Sequence, residues 1–248
     1  MGMLQDRSIV VTGGSSGIGA AIAARLIAEG AHVVVGSRSE ASVDGAVWVP
    51  TDVTDPAAVD ALVAAAVDRH GGLDALVANA GVQVEKTIVE TTDDEFDHVM
   101  EVNVRGVFLC CRAAVRHMRD HGGGAIVNVG SVAADTADHG LAVYNASKGA
   151  VHALTRAIAI DHGRDGVRCN AVRPGWIATE MAEVVFNRAD DPATMRAEAV
   201  ARHPLGRLGS PEDVAAMVAW LVSDDAAFVS GSMFTVDGAL TAQSPIGG

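Results

Sequence analysis

The chain of 248 residues carries 31 acids against 18 basic residues, a formal net charge of −13, with 49% hydrophobic and only 4% aromatic side chains. That acid excess and lack of aromatics argue against a basic nucleic-acid groove or a base-stacking surface, and the hydrophobic share argues against a disordered chain. No apolar run approaches the ~20 residues needed to cross a bilayer, so neither nucleic acid nor membrane is an expected partner.

Residues 8–11 read as a strand and 17–29 as a helix. Strands follow at 32–35 and 47–49, then a helix at 56–70, a strand at 73–77, a long helix at 93–119 and a strand at 125–129. The pattern ends with a helix at 144–161, a strand at 167–172, a helix at 211–223 and a strand at 233–236. The strand runs are apolar throughout, which suits strands covered on both faces. Their alternation with helices implies right-handed βαβ units. The expectation is a single α/β domain over 1–248, a Rossmann-like doubly wound parallel sheet with helices on both faces. The polar link 36–46 is too short for a crossover helix. Residues 179–208, holding Pro192 and Pro204, form a long mixed insertion of the kind that serves as a lid or substrate loop. Within it Met181, Val184, Val185 and Phe186 suit either a pocket roof or the packing stripe of a short helix.

Cys110, Cys111 and Cys169 have neither a metal spacing nor an even pairing set, and no signal segment is visible near the N-terminus. A reducing cytoplasm is the expected compartment. Cys110 and Cys111 sit in an apolar stretch and read as buried, inert thiols. His117 and His121 are four apart but lack a third ligand, so no metal is expected. His139 either faces substrate or lies in a surface turn beside Gly140.

The first strand runs into Thr12-Gly13-Gly14-Ser15-Ser16-Gly17-Ile18-Gly19. Glycines at this junction allow a tight turn and close approach of backbone N–H groups to a pyrophosphate, at the positive end of the following helix. At the end of the second strand Ser37 stands where an acid would hold a ribose 2′-OH, and Arg38 follows. A hydroxyl beside a guanidinium suits a 2′-phosphate, which favours NADP(H), with NAD(H) as the alternative.

Of the 18 basic residues only two are lysines, and the chain has one tyrosine. Tyr144 and Lys148 nevertheless fall four apart at the start of a helix, on one face. A phenol with reference pKa about 10 is a poor acid–base group at neutral pH; a nearby ammonium should lower it. Ser131, at the end of a strand, could donate a hydrogen bond to a substrate oxygen.

Together these residues identify a resemblance. With Asp52-Val53, Asn79-Ala80-Gly81, Asn103, and Pro174-Gly175 with Thr179, the chain resembles the short, single-domain branch of the short-chain dehydrogenase/reductase family over essentially its whole length. The resemblance implies that Ser131 holds the substrate oxygen, Tyr144 exchanges the proton, and Lys148 binds nicotinamide ribose and tunes the tyrosine. It implies that Asn103 holds a water relaying protons from Lys148. It also implies that Gly13, Ser15, Ser16, Gly17, Ile18, Gly19, Ser37, Arg38, Asp52, Val53, Asn79, Ala80, Gly81, Pro174, Gly175, Ile177 and Thr179 border the dinucleotide. The implied substrate is a small ketone or secondary alcohol and the implied assembly a homotetramer or dimer. The alternatives are a 3-oxoacyl-thioester reductase, disfavoured by the net charge and by Arg164 standing alone beside the expected carrier-docking places, and a non-catalytic dinucleotide sensor, disfavoured because tyrosine and lysine are both present.

Overall fold

The apolar runs form the seven strands β1 (Ser8–Thr12), β2 (His32–Ser37), β3 (Val47–Pro50), β4 (Ala75–Ala78), β5 (Gly124–Val129), β6 (Val167–Pro174) and β7 (Met233–Val236). In the computed structural model, which describes residues 2–243, they pair in the order β3-β2-β1-β4-β5-β6-β7. Every pairing is parallel. Helices α1 (Gly17–Ala28), α2 (Pro56–His70), α3 (Asp93–Met100), α4 (Val107–Met118), α5 (Ala142–His162), α6 (Glu180–Phe186), α7 (Pro192–Ala201) and α8 (Pro211–Val222) complete the chain.

Strand side chains alternate between two buried layers. Val10 packs with Leu62 of α2, Leu109 of α4 and Val151 of α5. Its neighbours Ile9 and Val11 pack with Ile22 of α1 and Val218 of α8 on the opposite face. Helix boundaries follow local signals. Asp55 caps α2 by accepting from Ala57 N–H, Pro56 occupies the first turn, and Gly71 ends the helix in left-handed backbone. Ser210 and Asp213 form a capping box at α8 behind Pro211.

Two regions differ from the sequence expectation. The long helix expected over 93–119 is interrupted by a π-helical turn, Glu101–Gly106. Such a turn inserts an extra residue and redirects side chains; here Asn103 is fully buried. The insertion 179–208 is not an open loop. Helices α6 and α7 share a small core of Ala182, Phe186 and Ala199 with Trp176 and Met195 against it. Its ends are pinned together, Ala178 N–H donating to Gly209 O at 2.8 Å and Gly209 N–H to Trp176 O at 2.9 Å. Among the described residues no helix is long and apolar enough to cross a membrane.

Candidate active site

The C-terminal ends of β1 to β6 open onto one cleft of about 930 Å³. Ligands of open parallel sheets sit at such carboxyl ends, where the strand order reverses; here that point lies between β1 and β4. Every site residue expected from sequence lines this cleft except Asn103.

At one end lies the glycine turn. Gly13 (φ +66°) and Gly17 (φ +52°) take left-handed backbone, which costs glycine nothing sterically. A Cβ at Gly13 would meet Ala80 Cα at 2.8 Å, and one at Gly19 would meet Asn79 Nδ2 at 2.5 Å. Asn79 fastens the turn: its amide donates to the carbonyls of Thr12 (2.9 Å) and Gly13 (3.1 Å). Thr12 Oγ1 in return accepts from the N–H groups of Asn79 and Ala80. Helix α1 starts behind Ser16, whose side chain makes no capping bond, and its first turn holds no acid. Its leading amides are thus uncompensated donors at the positive end of a helix dipole. These residues fit a pyrophosphate group. Thr179 sits over the turn, with Cγ2 3.5 Å from where a Gly17 Cβ would lie.

The end of β2 corrects one expectation. The Ser37 hydroxyl donates to Ser39 O at 2.7 Å and accepts from the Trp48 indole at 3.1 Å. A hydroxyl has one proton, and Ser37 uses it within the chain. It therefore shapes the turn rather than offering a donor to a phosphate. Arg38 is exposed on the cleft wall and enters no ion pair among the described residues. Asp52 is held below the usual carboxylate range by hydrogen bonds from the N–H and hydroxyl of Thr54, with the Arg38 guanidinium adding to the effect.

At the other end of the cleft Ser131 follows β5 and caps a 3₁₀ turn, Val132–Ala134, its Oγ accepting from Ala133 N–H at 3.1 Å. Tyr144 and Lys148 stand one turn apart on α5, with Lys148 Nζ 5.6 Å from the phenol ring centroid. Nζ donates to Val129 O at 2.8 Å, and the lysine is buried. Burial pulls the Lys148 pKa down to about 8. Burial also pushes Tyr144 above the ordinary phenol value, the Ser131 hydroxyl drawing it only partly back. This direction is the reverse of the one expected from an adjacent ammonium. Removing the phenolate from water is the dominant effect here.

Asn103 lies behind the cleft as a clamp. Its Oδ1 accepts from Val82 N–H at 2.8 Å, and its Nδ2 donates to Val82 O (2.8 Å) and to Ser147 Oγ (3.0 Å). Ser147 Oγ donates on to Tyr144 O at 2.7 Å. The side chain ties the loop after β4 to the start of α5 and has no free donor for a water. Gly81 approaches the same corner, where a Cβ would meet Asn103 Oδ1 at 3.4 Å and Lys148 Nζ at 3.6 Å.

The model of a protein family described as enoyl-(acyl carrier protein) reductase matches residues 13–241. A cis-4-hydroxycyclohexanecarboxylate dehydrogenase of Sinomonas cyclohexanicum is 42% identical, the alignment covering 96% of this chain and 97% of the relative. A 2-(R)-hydroxypropyl-CoM dehydrogenase of Xanthobacter autotrophicus is 41% identical, covering 96% and 99%. The solved structure of Thermoplasma acidophilum aldohexose dehydrogenase superposes with a TM-score of 0.94 at 33% identity, covering 99% of this chain and 98% of that one. The chain belongs to the short-chain dehydrogenase/reductase family. Dehydrogenases of this family use nicotinamide cofactors.

Within this short-chain dehydrogenase/reductase, several cleft residues were not expected from sequence. Trp176 lines the cleft and stacks on Phe186 at 5.3 Å between ring centroids. The signal was an indole directly after Pro174-Gly175 in an aromatic-poor chain. Met195 and Arg202 line the cleft from the 179–208 insertion. Of the ambiguous stripe, Met181 and Val185 reach the cleft, Phe186 packs between α6 and α7 and Val184 is exposed. His139 is exposed on the cleft rim. His117 and His121 stack with centroids 4.0 Å apart, and His121 Nδ1 hydrogen-bonds His117 O.

Proposed function

We propose that this chain is an NADP(H)-dependent oxidoreductase that moves hydride between nicotinamide and a small-molecule ketone or secondary alcohol, with NAD(H) as the alternative cofactor. The observation that carries the reading is a single cleft with a glycine turn at one end and Ser131, Tyr144 and Lys148 at the other. Gly13, Ser15, Ser16, Gly17, Ile18 and Gly19 would hold the pyrophosphate, Arg38 the 2′-phosphate, and Asp52, Val53, Asn79, Ala80 and Gly81 the adenosine half. Pro174, Gly175, Ile177 and Thr179 would border the nicotinamide.

Bound nicotinamide supplies or accepts the hydride, and the protein supplies orientation and charge. Ser131 donates to the substrate oxygen and fixes its distance from Tyr144. In reduction Tyr144 gives its proton to that oxygen; in oxidation it takes one. Burial keeps the phenol neutral, the form needed to donate. The Lys148 ammonium provides positive charge within 5.6 Å of the ring, where it offsets the phenolate left after donation. Asn103 ties the loop at Val82 to the start of α5, the helix that carries Tyr144 and Lys148.

The test is loss of NADPH or NADH absorbance against a panel of ketones, secondary alcohols, an alicyclic hydroxy acid, a vicinal diol and acetoacetyl thioesters. The hydroxy acid and diol are the classes for which two relatives are named. Turnover of simple ketones or alcohols supports the reading. Thioester turnover far above it would move the assignment to a thioester reductase, and no turnover with measurable dinucleotide binding would favour a sensor.

A further inference from the structure

His152 is 96% buried on α5, four residues beyond Lys148, and has no part in the chemistry above; its relative exposure is 4%. Its Nε2 is buried without any hydrogen-bond partner. That nitrogen abuts Gly130, the residue before Ser131: a Cβ at Gly130 would lie 2.5 Å from it. The opposite ring nitrogen, Nδ1, lies 3.7 Å from Asp135 Oδ2. Asp135 closes the 3₁₀ turn that Ser131 opens. Asp135 is also bound by the Arg173 guanidinium of β6, which in turn donates to Thr235 of β7. Gly130 is held from the other side by its N–H donating to Val172 O at 2.9 Å.

We propose that His152 is the positioning residue for Ser131, one imidazole bracing the backbone before the serine at Gly130 and the turn after it at Asp135. This rests on the catalytic reading of Ser131 above. A buried polar atom without a partner is costly, so a bare Nε2 tolerates the site only as the neutral acceptor, with its proton on Nδ1 toward Asp135. The geometry also explains why position 130 is glycine: the ring occupies the space of any larger side chain.

Protonation would put an N–H against Gly130 with no acceptor, displacing the serine. The charged groups facing the ring are Asp135 from the turn, Arg173 from β6, and Arg156 and Lys148 from α5 itself. Burial and the three cations outweigh Asp135 and hold the ring neutral to below the ordinary histidine value. The brace therefore holds at neutral pH and fails only on acidification.

Tyr144 is the single tyrosine, and the Ser131 hydroxyl draws its pKa down. Its ultraviolet titration thus reads the position of Ser131 without any substrate. His152→Ala should raise that titration midpoint. It should also lower kcat by about tenfold, the scale of a sub-ångström misplacement, with NADPH Kd measured by nicotinamide fluorescence changing less than about twofold. His152→Asn keeps a donor toward Asp135 and should recover part of kcat while losing the acid limb of the wild-type pH profile. Gly130→Ala should be damaging alone and relieved in combination with His152→Ala. An unchanged Tyr144 titration in His152→Ala overturns the proposal, as does additivity of the Gly130 and His152 changes. If the wild type turns over none of the panel while the titration still shifts, the brace stands and the assigned reaction fails.

Discussion

Lys148 Nζ donates to the carbonyl of Val129 at 2.8 Å, the residue two before Ser131. The buried ammonium therefore links α5 to the end of β5. It does so at a cost, because burial lowers its pKa from 10.5 to about 8. The folded state releases the proton earlier than the unfolded chain. Between pH 8 and 10.5 the unfolded chain holds more protons, so this group's destabilising effect is full below pH 8 and is relieved as pH rises through that window. Its size is about 3 kcal/mol. Lys148→Met should abolish turnover yet raise Tm at pH 7, and the gain should shrink towards pH 10. A lower Tm at pH 7 would show that the Val129 bond outweighs the desolvation.

Tyr144 presents the opposite sign. Its folded pKa is raised, first by burial, so the native protein holds the phenol proton more tightly than the unfolded chain. This contribution to stability is present below about pH 10, the reference value, and is lost as pH rises through the folded value. Phenolate absorbance in the native protein should appear above pH 10, and since there is one tyrosine no other residue can contribute. Tyr144→Phe should remove the signal and lower kcat by at least about 100-fold, the usual share of a general acid. Its dinucleotide Kd should stay near wild type.

Arg38 is the cofactor test. It is exposed on the cleft wall with no ion pair among the described residues, and Ser37 beside it has already used its proton. On the proposed NADP(H) reading, selectivity for a 2′-phosphate rests on one guanidinium. Arg38→Ala should weaken NADPH binding by about tenfold, one lost charged hydrogen bond, and leave NADH binding within about twofold. Isothermal titration with both nucleotides decides it. Equal wild-type affinity for the two would end the NADP(H) assignment. Arg38→Asp should reverse any preference.

The sequence made the sheet legible because β-branched runs and caps act locally. The pairing of Tyr144 with Lys148 was visible because helical periodicity puts residues four apart on one face. Three properties were not visible, and each is non-local. The π-helical turn at Glu101–Gly106 depends on Asn103 finding Val82 and Ser147, 21 and 44 residues away. The closed proton of Ser37 depends on Trp48 and Ser39 folding around it. The raised pKa of Tyr144 depends on how much water the finished cleft excludes, which residue spacing does not encode. The contact of His152 with Gly130 is likewise non-local, because it needs α5 packed against the end of β5.

The thiols give a readout of the fold itself. Cys110, Cys111 and Cys169 are all buried. Burial pushes Cys110 and Cys169 up to about 12 and Cys111 well above the ordinary thiol value. Cys111 and Cys169 flank Asn128, whose amide reaches Cys169 Sγ at 3.7 Å and Thr155 Oγ1 at 2.9 Å, beneath β5. Thiolate is the reacting form, so a chromogenic disulfide reagent at pH 8 should modify none of the three in the folded protein and all three in denaturant. The rate in water should follow opening of the α4–β5 layer and stay independent of reagent at high concentration. Asn79→Ala, which unfastens the glycine turn from Thr12 and Gly13, should lower global stability by about 1–3 kcal/mol and accelerate labelling. His152→Ala, acting beside Ser131, should change labelling far less than kcat. Rapid native labelling of any one cysteine would contradict the burial of that layer.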